Sequence, residues 1–341
     1  MMITRVKVSN FKSFDHLEVE LRPLNIVVGS NAAGKSNFLG IFRFIRDLAV
    51  EGTENAISLQ GGMEYLLNLQ IGPTRPVTLE ITFLAGSPPR EFTYSIEITQ
   101  KFNQLGFEVI SEKLTPYPTG PTSTRNFLDA LIASKIATFD VDPSLPKKSA
   151  PISGRAQLES DGSNLALALR NLLQDSKKRV TFLRLVQDAL PFIENLSVEH
   201  FADRSLFVAA KERFSDFPLP ASLLSDGTIH LTALILALYF HEASVTLIEE
   251  PERNIHPHLI SKVVRMLADA SRQKQIIVTT HNPELVKHAD LADLLLVHRD
   301  DQGFSHVTRP AESAELKVFL ENDLGVDELY VQNLLGVGHG V

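Results

Sequence analysis

Apolar and polar positions alternate with period two at the start of the chain, over residues 3–8 and 17–21, which predicts two half-buried strands. Asn25-Ile26-Val27-Val28, a short apolar run ahead of a glycine, reads as a buried strand. The period then changes, and residues 38–50 repeat their apolar positions at helical spacing. Residues 51–76 mix Gly, Asn and Gln with apolar residues and read as a loop with short helices. Strand patterns return at residues 77–83, 92–99 and 106–113. Residues 115–155 are rich in Pro, Ser, Thr and Lys and read as a flexible segment, apart from an apolar helical patch over 127–136. Helical spacing marks 164–173 and 180–190, and strand patterns mark 196–201 and 205–210.

The last third has a different rhythm. A helix over 227–240, a strand over 244–248, a helix over 258–270, a strand over 275–280, a helix over 283–288 and a strand over 294–298 follow one another. Such alternation predicts a parallel sheet with helices on its faces. No internal repeat and no heptad run long enough for a coiled-coil arm is present.

Composition narrows the class. A length of 341 residues suits one domain with an inserted lobe, or two domains, and 44% hydrophobic residues supply an ordinary core. With no cysteine there is neither a disulfide framework nor a zinc-thiolate site. The net charge of −8 argues against a surface that is basic throughout. Lys147-Lys148 and Lys177-Lys178-Arg179 are the local basic runs and read as solvated faces. The N-terminus has no apolar signal region and no run reaches the ~18 apolar residues of a membrane span, so the expectation is a soluble cytoplasmic protein with no membrane partner.

Four short stretches carry chemistry. Gly29-Ser30-Asn31-Ala32-Ala33-Gly34-Lys35-Ser36 matches G-x-x-x-x-G-K-[ST] between a predicted strand and a predicted helix, and Asn37 follows it. Its glycines let backbone N–H groups curl around phosphates, and the helix start adds partial positive charge. Lys35 would reach the β- and γ-phosphates of ATP, and Ser36 would offer a hydroxyl to Mg²⁺. The predicted strand over 244–248 ends in Glu249-Glu250-Pro251-Glu252. Burying carboxylates there is costly unless they meet a cation or a proton donor. Glu249 is the candidate Mg²⁺ ligand, Glu250 the candidate general base for the attacking water, and Glu252 reads as structural. Leu224-Ser225-Asp226-Gly227-Thr228 opens a long apolar helix, either as an anion-binding helix start or as a plain N-cap. His281 follows Thr279-Thr280 at the end of a core strand, placed to contact a γ-phosphate. His256-Pro257-His258 has too few neighbouring ligands to read as a metal site.

These four pieces in this order resemble the Walker A, signature, Walker B and switch-histidine motifs of the ABC-type ATPases. The opening Val8-Ser9-Asn10-Phe11-Lys12-Ser13-Phe14 is similar to the SMC/RecF/OLD branch. The LSDGT signature, the Glu249–Glu252 block followed by His256-Pro257, and Thr280-His281-Asn282-Pro283 look like small OLD-type AAA ATPases, as does the tail from Asp323 to Tyr330. The likeness covers residues 1–50 and 220–335 well and the middle loosely.

The resemblance implies an α/β ATPase head over 1–71 and 216–341, with an N-terminal antiparallel β part and a parallel core sheet, and an inserted α+β lobe over 72–215. It implies a head-to-tail homodimer around two ATPs, in which Ser225 and Gly227 complete the site of the other copy and His281 senses the γ-phosphate. The chain departs from the family where Glu249 replaces the usual Asp, Asp226 the commoner Gly, and Thr228 the commoner Gln. The glutamine of the Q-loop is Gln60 or Gln70, with Gln70 preferred. The implied function is a slow ATPase switch in DNA transactions such as phage defence. OLD nucleases carry a C-terminal Toprim domain, whereas 60 residues follow His281 here, so a separate effector such as a nuclease is expected. A RecF-like repair protein that binds DNA directly is the alternative, and the ATPase subunit of a transporter fits the motifs poorly.

Overall fold

The structure is a computed structural model that describes residues 1–101, 106–116, 132, 135–201 and 204–312. The tail from Asp323 and most of the 127–136 patch lie outside these residues. The strands are β1 (Met2–Phe11), β2 (Phe14–Glu20), β3 (Leu24–Val28), β4 (Val77–Ala85), β5 (Arg90–Gln100), β6 (Phe107–Thr115), β7 (Ile136–Phe139), β8 (Ala150–Pro151), β9 (Ile193–Phe201), β10 (Ser205–Glu212), β11 (Leu219–Pro220), β12 (Val245–Glu249), β13 (Gln275–Thr280), β14 (Leu294–Arg299) and β15 (Ser305–Thr308). The helices are α1 (Lys35–Leu59), α2 (Met63–Leu66), α3 (Leu165–Leu173), α4 (Ser176–Ala189), α5 (Asp226–Ile235), α6 (Pro257–Ala270) and α7 (Pro283–His288).

Two compact units emerge. The first comprises Met1–Ala137, Ala243–Leu247 and the chain from Ser271 on, and the second comprises Thr138–Glu242 and Ile248–Ala270.

The first unit holds an antiparallel sheet of five strands in the order β2-β1-β4-β5-β6, and a six-stranded sheet in the order β15-β14-β3-β13-β12-β7. In the latter, β3 runs parallel to both β13 and β14, and β15 returns antiparallel to β14. Every residue of β3 and β13 is buried, as expected of parallel strands covered on both faces, which is why they read as unbroken apolar runs. The strands of the antiparallel sheet alternate instead, with Val77, Leu79, Ile81 and Phe83 of β4 turned inward. They join Phe11, Phe38 and Phe42 in one core, where Phe38 and Phe42 meet edge to face at 5.4 Å. Each such side chain contributes roughly 1.5–3 kcal/mol by burial. The buried side chain of Gln275 adds a polar link, accepting from Ile3 N at 2.9 Å and donating to the carbonyls of Ile3 and Arg22 at 2.7 and 3.0 Å.

The second unit centres on β10, which pairs antiparallel with β9, β8 and β11. Its helix α4 starts at Asp175, whose carboxylate accepts from the backbone N–H of Lys177 and Lys178. Lys177, Lys178 and Arg179 are exposed, as a solvated face requires. The helix expected over 227–240 is α-helical to Ile235 and then widens into a π-helical stretch, Leu236–Phe240.

This division differs from the expected one, in which a lobe begins at residue 72. Strands β4, β5 and β6 extend the sheet begun by β1, with Val6 opposite Ile81 and Val8 opposite Leu79. Their apolar face belongs to the core of the first unit, so the break falls at Thr138. Among the described residues no helix is long and apolar enough to cross a membrane.

Candidate functional site

In the first unit, β3 delivers the chain at Gly29 into a loop with two left-handed residues, Ala32 (φ 62°) and Gly34 (φ 116°), before α1 begins at Lys35. A non-glycine residue in this region is strained, and such strain persists where the surroundings enforce it. The enforcement comes from β15. Buried Ser305 donates its hydroxyl to the Ala33 carbonyl at 2.6 Å and lies 2.8 Å from Ser13 Oγ, while its backbone N–H donates to Ser13 O at 2.8 Å. Asn37 Nδ2 donates to the same Ser13 Oγ at 2.8 Å. A Cβ on Gly34 would overlap Ser305 Oγ, so the loop can approach β15 only as glycine.

The start of α1 has the character of an anion site. Its N-cap residue, Gly34, has no side chain to cap it, and no acidic residue stands in its first turn. Lys35 Nζ lies at the loop mouth, donating to the carbonyls of Gly29 and Ser30 at 2.9 Å each. Asn31, Ala32 and Ser36 are exposed. This donor set of an ammonium, a hydroxyl and the amides of a helix start fits a polyphosphate.

Beside the loop is a cavity of about 600 Å³ whose lining includes Lys12, Ser13, Asn37, Gln60, Gln70 and Arg299. Both Q-loop candidates therefore face one space. Gln70 Nε2 donates to Gln302 O at 2.7 Å, in the turn between β14 and β15. Burial, and then the Arg43 charge, lower the pKa of Lys12. His281 leaves β13 at the same sheet end as Gly29, because Thr280 is in register with Val28. Its ring is exposed, and Asn282 behind it caps α7 by accepting from Glu284 N at 2.9 Å.

The second unit holds the acidic strand end and the signature. Glu249 closes β12 and is half-buried. Glu250 adopts a left-handed backbone (φ 46°), and its carbonyl accepts from Arg253 N at 2.9 Å to close a tight turn. Arg253 also places Nε and Nη2 each 3.3 Å from Glu250 Oε2. Glu252 is 5% exposed. Ser225 is the N-cap of α5, its Oγ accepting from Thr228 N at 3.1 Å, so the plain capping role holds whatever else the motif does. Gly227 rests on the turn after the acidic block, where a Cβ would stand 2.7 Å from Asn254 O. Buried His230 continues that contact, its Nε2 lying 3.2 Å from Pro251 O, and Lys147 pairs with Asp226.

Both His256 and His258 are exposed, with their Nδ1 atoms 2.6 Å apart, and no group of three or more metal-ligating side chains occurs among the described residues. Ser305, Asp140 and Arg253 carry much of this geometry and lie outside every motif. Lys12 and Ser13 stood in a recognisable opening motif, without a sign of their roles.

Three comparisons with known proteins bear on this arrangement. A family model described as "AAA domain, putative AbiEii toxin, Type IV TA system" matches residues 24–287. The DNA replication and repair protein RecF of Desulforudis audaxviator (strain MP104C) is 32% identical over 148 residues, covering 38% of this chain and 38% of that protein. The match thus spans well under half of that relative. Among solved structures, the SMC head domain from Thermotoga maritima superposes with a TM-score of 0.59 at 16% identity, covering 91% of this chain and 99% of that one. An Smc head bound to the C-winged helix domain of ScpA gives 0.64 at 18% identity, covering 90% and 97%. The Smc head with an extended coiled coil from Pyrococcus furiosus gives 0.61 at 17%, covering 95% and 100%. At these identities the structures establish a shared fold, that of an α/β P-loop ATPase head.

Proposed function

This chain belongs to the AAA domain family whose model covers residues 24–287, and from that membership we propose that it is an ATP-binding and hydrolysing switch that dimerises head-to-tail around ATP. The observation that carries the reading is the phosphate loop. Its left-handed residues Ala32 and Gly34, a helix start with no acidic residue in its first turn and the ammonium of Lys35 at its mouth together suit a triphosphate. Lys35 binds the β- and γ-phosphates, while the amides from Gly29 to Asn37 orient them. Ser36 and Glu249 supply hard oxygen ligands suited to Mg²⁺, which when bound neutralises charge on the phosphates. Glu250 accepts a proton from the attacking water. His281 senses the γ-phosphate, with Gln70 or Gln60 beside it, and Ser225 and Gly227 of each copy serve the phosphates held by the other.

The switch acts in DNA transactions, and we place it in phage defence with a separate effector such as a nuclease. The OLD-like motif set supports this, and the family's description also carries the words "putative AbiEii toxin, Type IV TA system". The experiment is ATP turnover against protein concentration. A site completed by two copies gives a specific activity that rises with concentration and vanishes in Lys35→Ala. A specific activity independent of concentration, at any dilution where the protein is monomeric, contradicts the shared site.

The 32% identity to a RecF over 148 residues favours a second reading, a repair protein that binds DNA itself. Duplex affinity that appears only with ATP and falls steeply with salt would select it.

A further inference from the structure

Arg253 sits between two carboxylates of the second unit. Its Nη1 is 2.9 Å from Asp140 Oδ1, and its Nε and Nη2 are each 3.3 Å from Glu250 Oε2. We propose that Arg253 is a positioning residue for ATP hydrolysis, aiming the Glu250 carboxylate, and that Asp140 keeps it in that role. The proposal rests on Glu250 acting as the general base.

Glu250 has a left-handed backbone, and Arg253 braces both the turn and the side chain. The backbone N–H of Arg253 closes the turn onto Glu250 O at 2.9 Å, and the guanidinium holds Oε2. A guanidinium is a rigid planar fork, so contacts on two of its edges fix its orientation, which a lysine ammonium could not reproduce.

The shorter hydrogen bond goes to Asp140, and the contacts to Glu250 are long. Asp140 therefore anchors the guanidinium, and the anchored guanidinium orients the glutamate. Asp140 is itself held, its N–H donating to Ser160 O at 2.8 Å. Further along the same segment Lys147 pairs with Asp226, so the segment is fixed both to the turn that carries the base and to the signature.

The test compares Arg253→Ala, Arg253→Lys, Asp140→Asn and the double variant Asp140→Asn/Arg253→Ala in the full chain. For each, kcat, KM and the affinity for a fluorescent ATP analogue are measured, with Glu250→Gln as reference. Misaligning a catalytic group costs up to roughly 10²-fold, so Arg253→Ala is expected to lower kcat by about 10- to 100-fold with analogue affinity unchanged. Arg253→Lys is not expected to restore it. Asp140→Asn lowers kcat as well, because it weakens the charged anchor that holds the guanidinium in place. The double variant is no slower than Arg253→Ala, since Asp140 acts only through Arg253.

Wild-type kcat in Arg253→Ala, or a double variant slowed by the product of the two single effects, overturns the proposal. Wild-type turnover in Glu250→Gln overturns the underlying assignment of the base, whatever Arg253 does. If Arg253→Ala does not fold, Arg253→Gln, which keeps the length and loses the charge, carries the same expectation.

Discussion

Gly227 of the signature lies directly against the backbone carbonyl of Asn254, with room for a hydrogen and none for a methyl group. A Cβ there would stand 2.7 Å from an oxygen that cannot swing aside, because Asn254 belongs to the tight turn that begins at Glu250. Gly227→Ala should therefore force α5 and this turn apart, at a cost of about 1–3 kcal/mol typical of overpacking. The phosphate loop lies in the other compact unit. ATP-analogue binding by the monomer is thus expected to survive while ATP-dependent self-association and turnover are lost. Titration of the analogue beside a turnover assay distinguishes this from general unfolding, in which binding disappears too.

The clamp on the phosphate loop makes a second prediction. Ser305→Ala removes the hydroxyl that holds Ala33 O in a buried site, which costs roughly 1–3 kcal/mol when an acceptor is left unmade. Gly34→Ala adds a clash with the same serine and a strained left-handed backbone. Both variants should weaken ATP binding, Gly34→Ala the more. Calorimetric ATP titrations with wild-type affinity in either would mean that the loop does not depend on β15.

Glu250→Gln and Lys35→Ala separate chemistry from binding. A positioned general base contributes roughly 10²–10⁴-fold, so Glu250→Gln should lose that factor in kcat and keep its nucleotide. Lys35→Ala should lose at least about tenfold in affinity, since a hydrogen bond from a charged donor is worth about 1.5–3 kcal/mol. Steady-state rates and binding isotherms on the two variants check both statements.

His230 predicts a pH dependence of stability. Burial on the inner side of the signature helix, to which it belongs, lowers its pKa from 6.5 to about 4, although its contact with Pro251 O works in the opposite sense. Between those values the unfolded chain binds a proton that the folded one refuses. Stability from this group is complete above about pH 6.5 and is lost as the pH falls towards 4, by up to about 1.4 kcal/mol per pH unit. Denaturant midpoints for wild type and His230→Gln should converge in slope above pH 6.5. Below it the wild type should fall away more steeply.

Much of this was legible in the sequence, for reasons that differ by element. Strands β3 and β13 announced themselves because burial on both faces demands continuous apolar runs. The loop from Gly29 to Ser36 stood out because its glycines and lysine are close together in the sequence. By contrast β7, β8, β11 and β15 are two to four residues long, too short for a period to register. The domain ranges differ because a strand pattern reports that β4 is half-buried without naming its partner strand. Ser305 and Ser13 meet across 292 positions, and Asp140 and Arg253 across 113, with no local signal for either pairing.

Whether ATP joins two copies of the chain is read from light scattering on Glu250→Gln with and without ATP and Mg²⁺. A monomer without nucleotide and a doubling of mass with it are expected, the doubling being lost in a Gly227→Ala background. A mass that ignores ATP, with nucleotide binding intact, would contradict the switch.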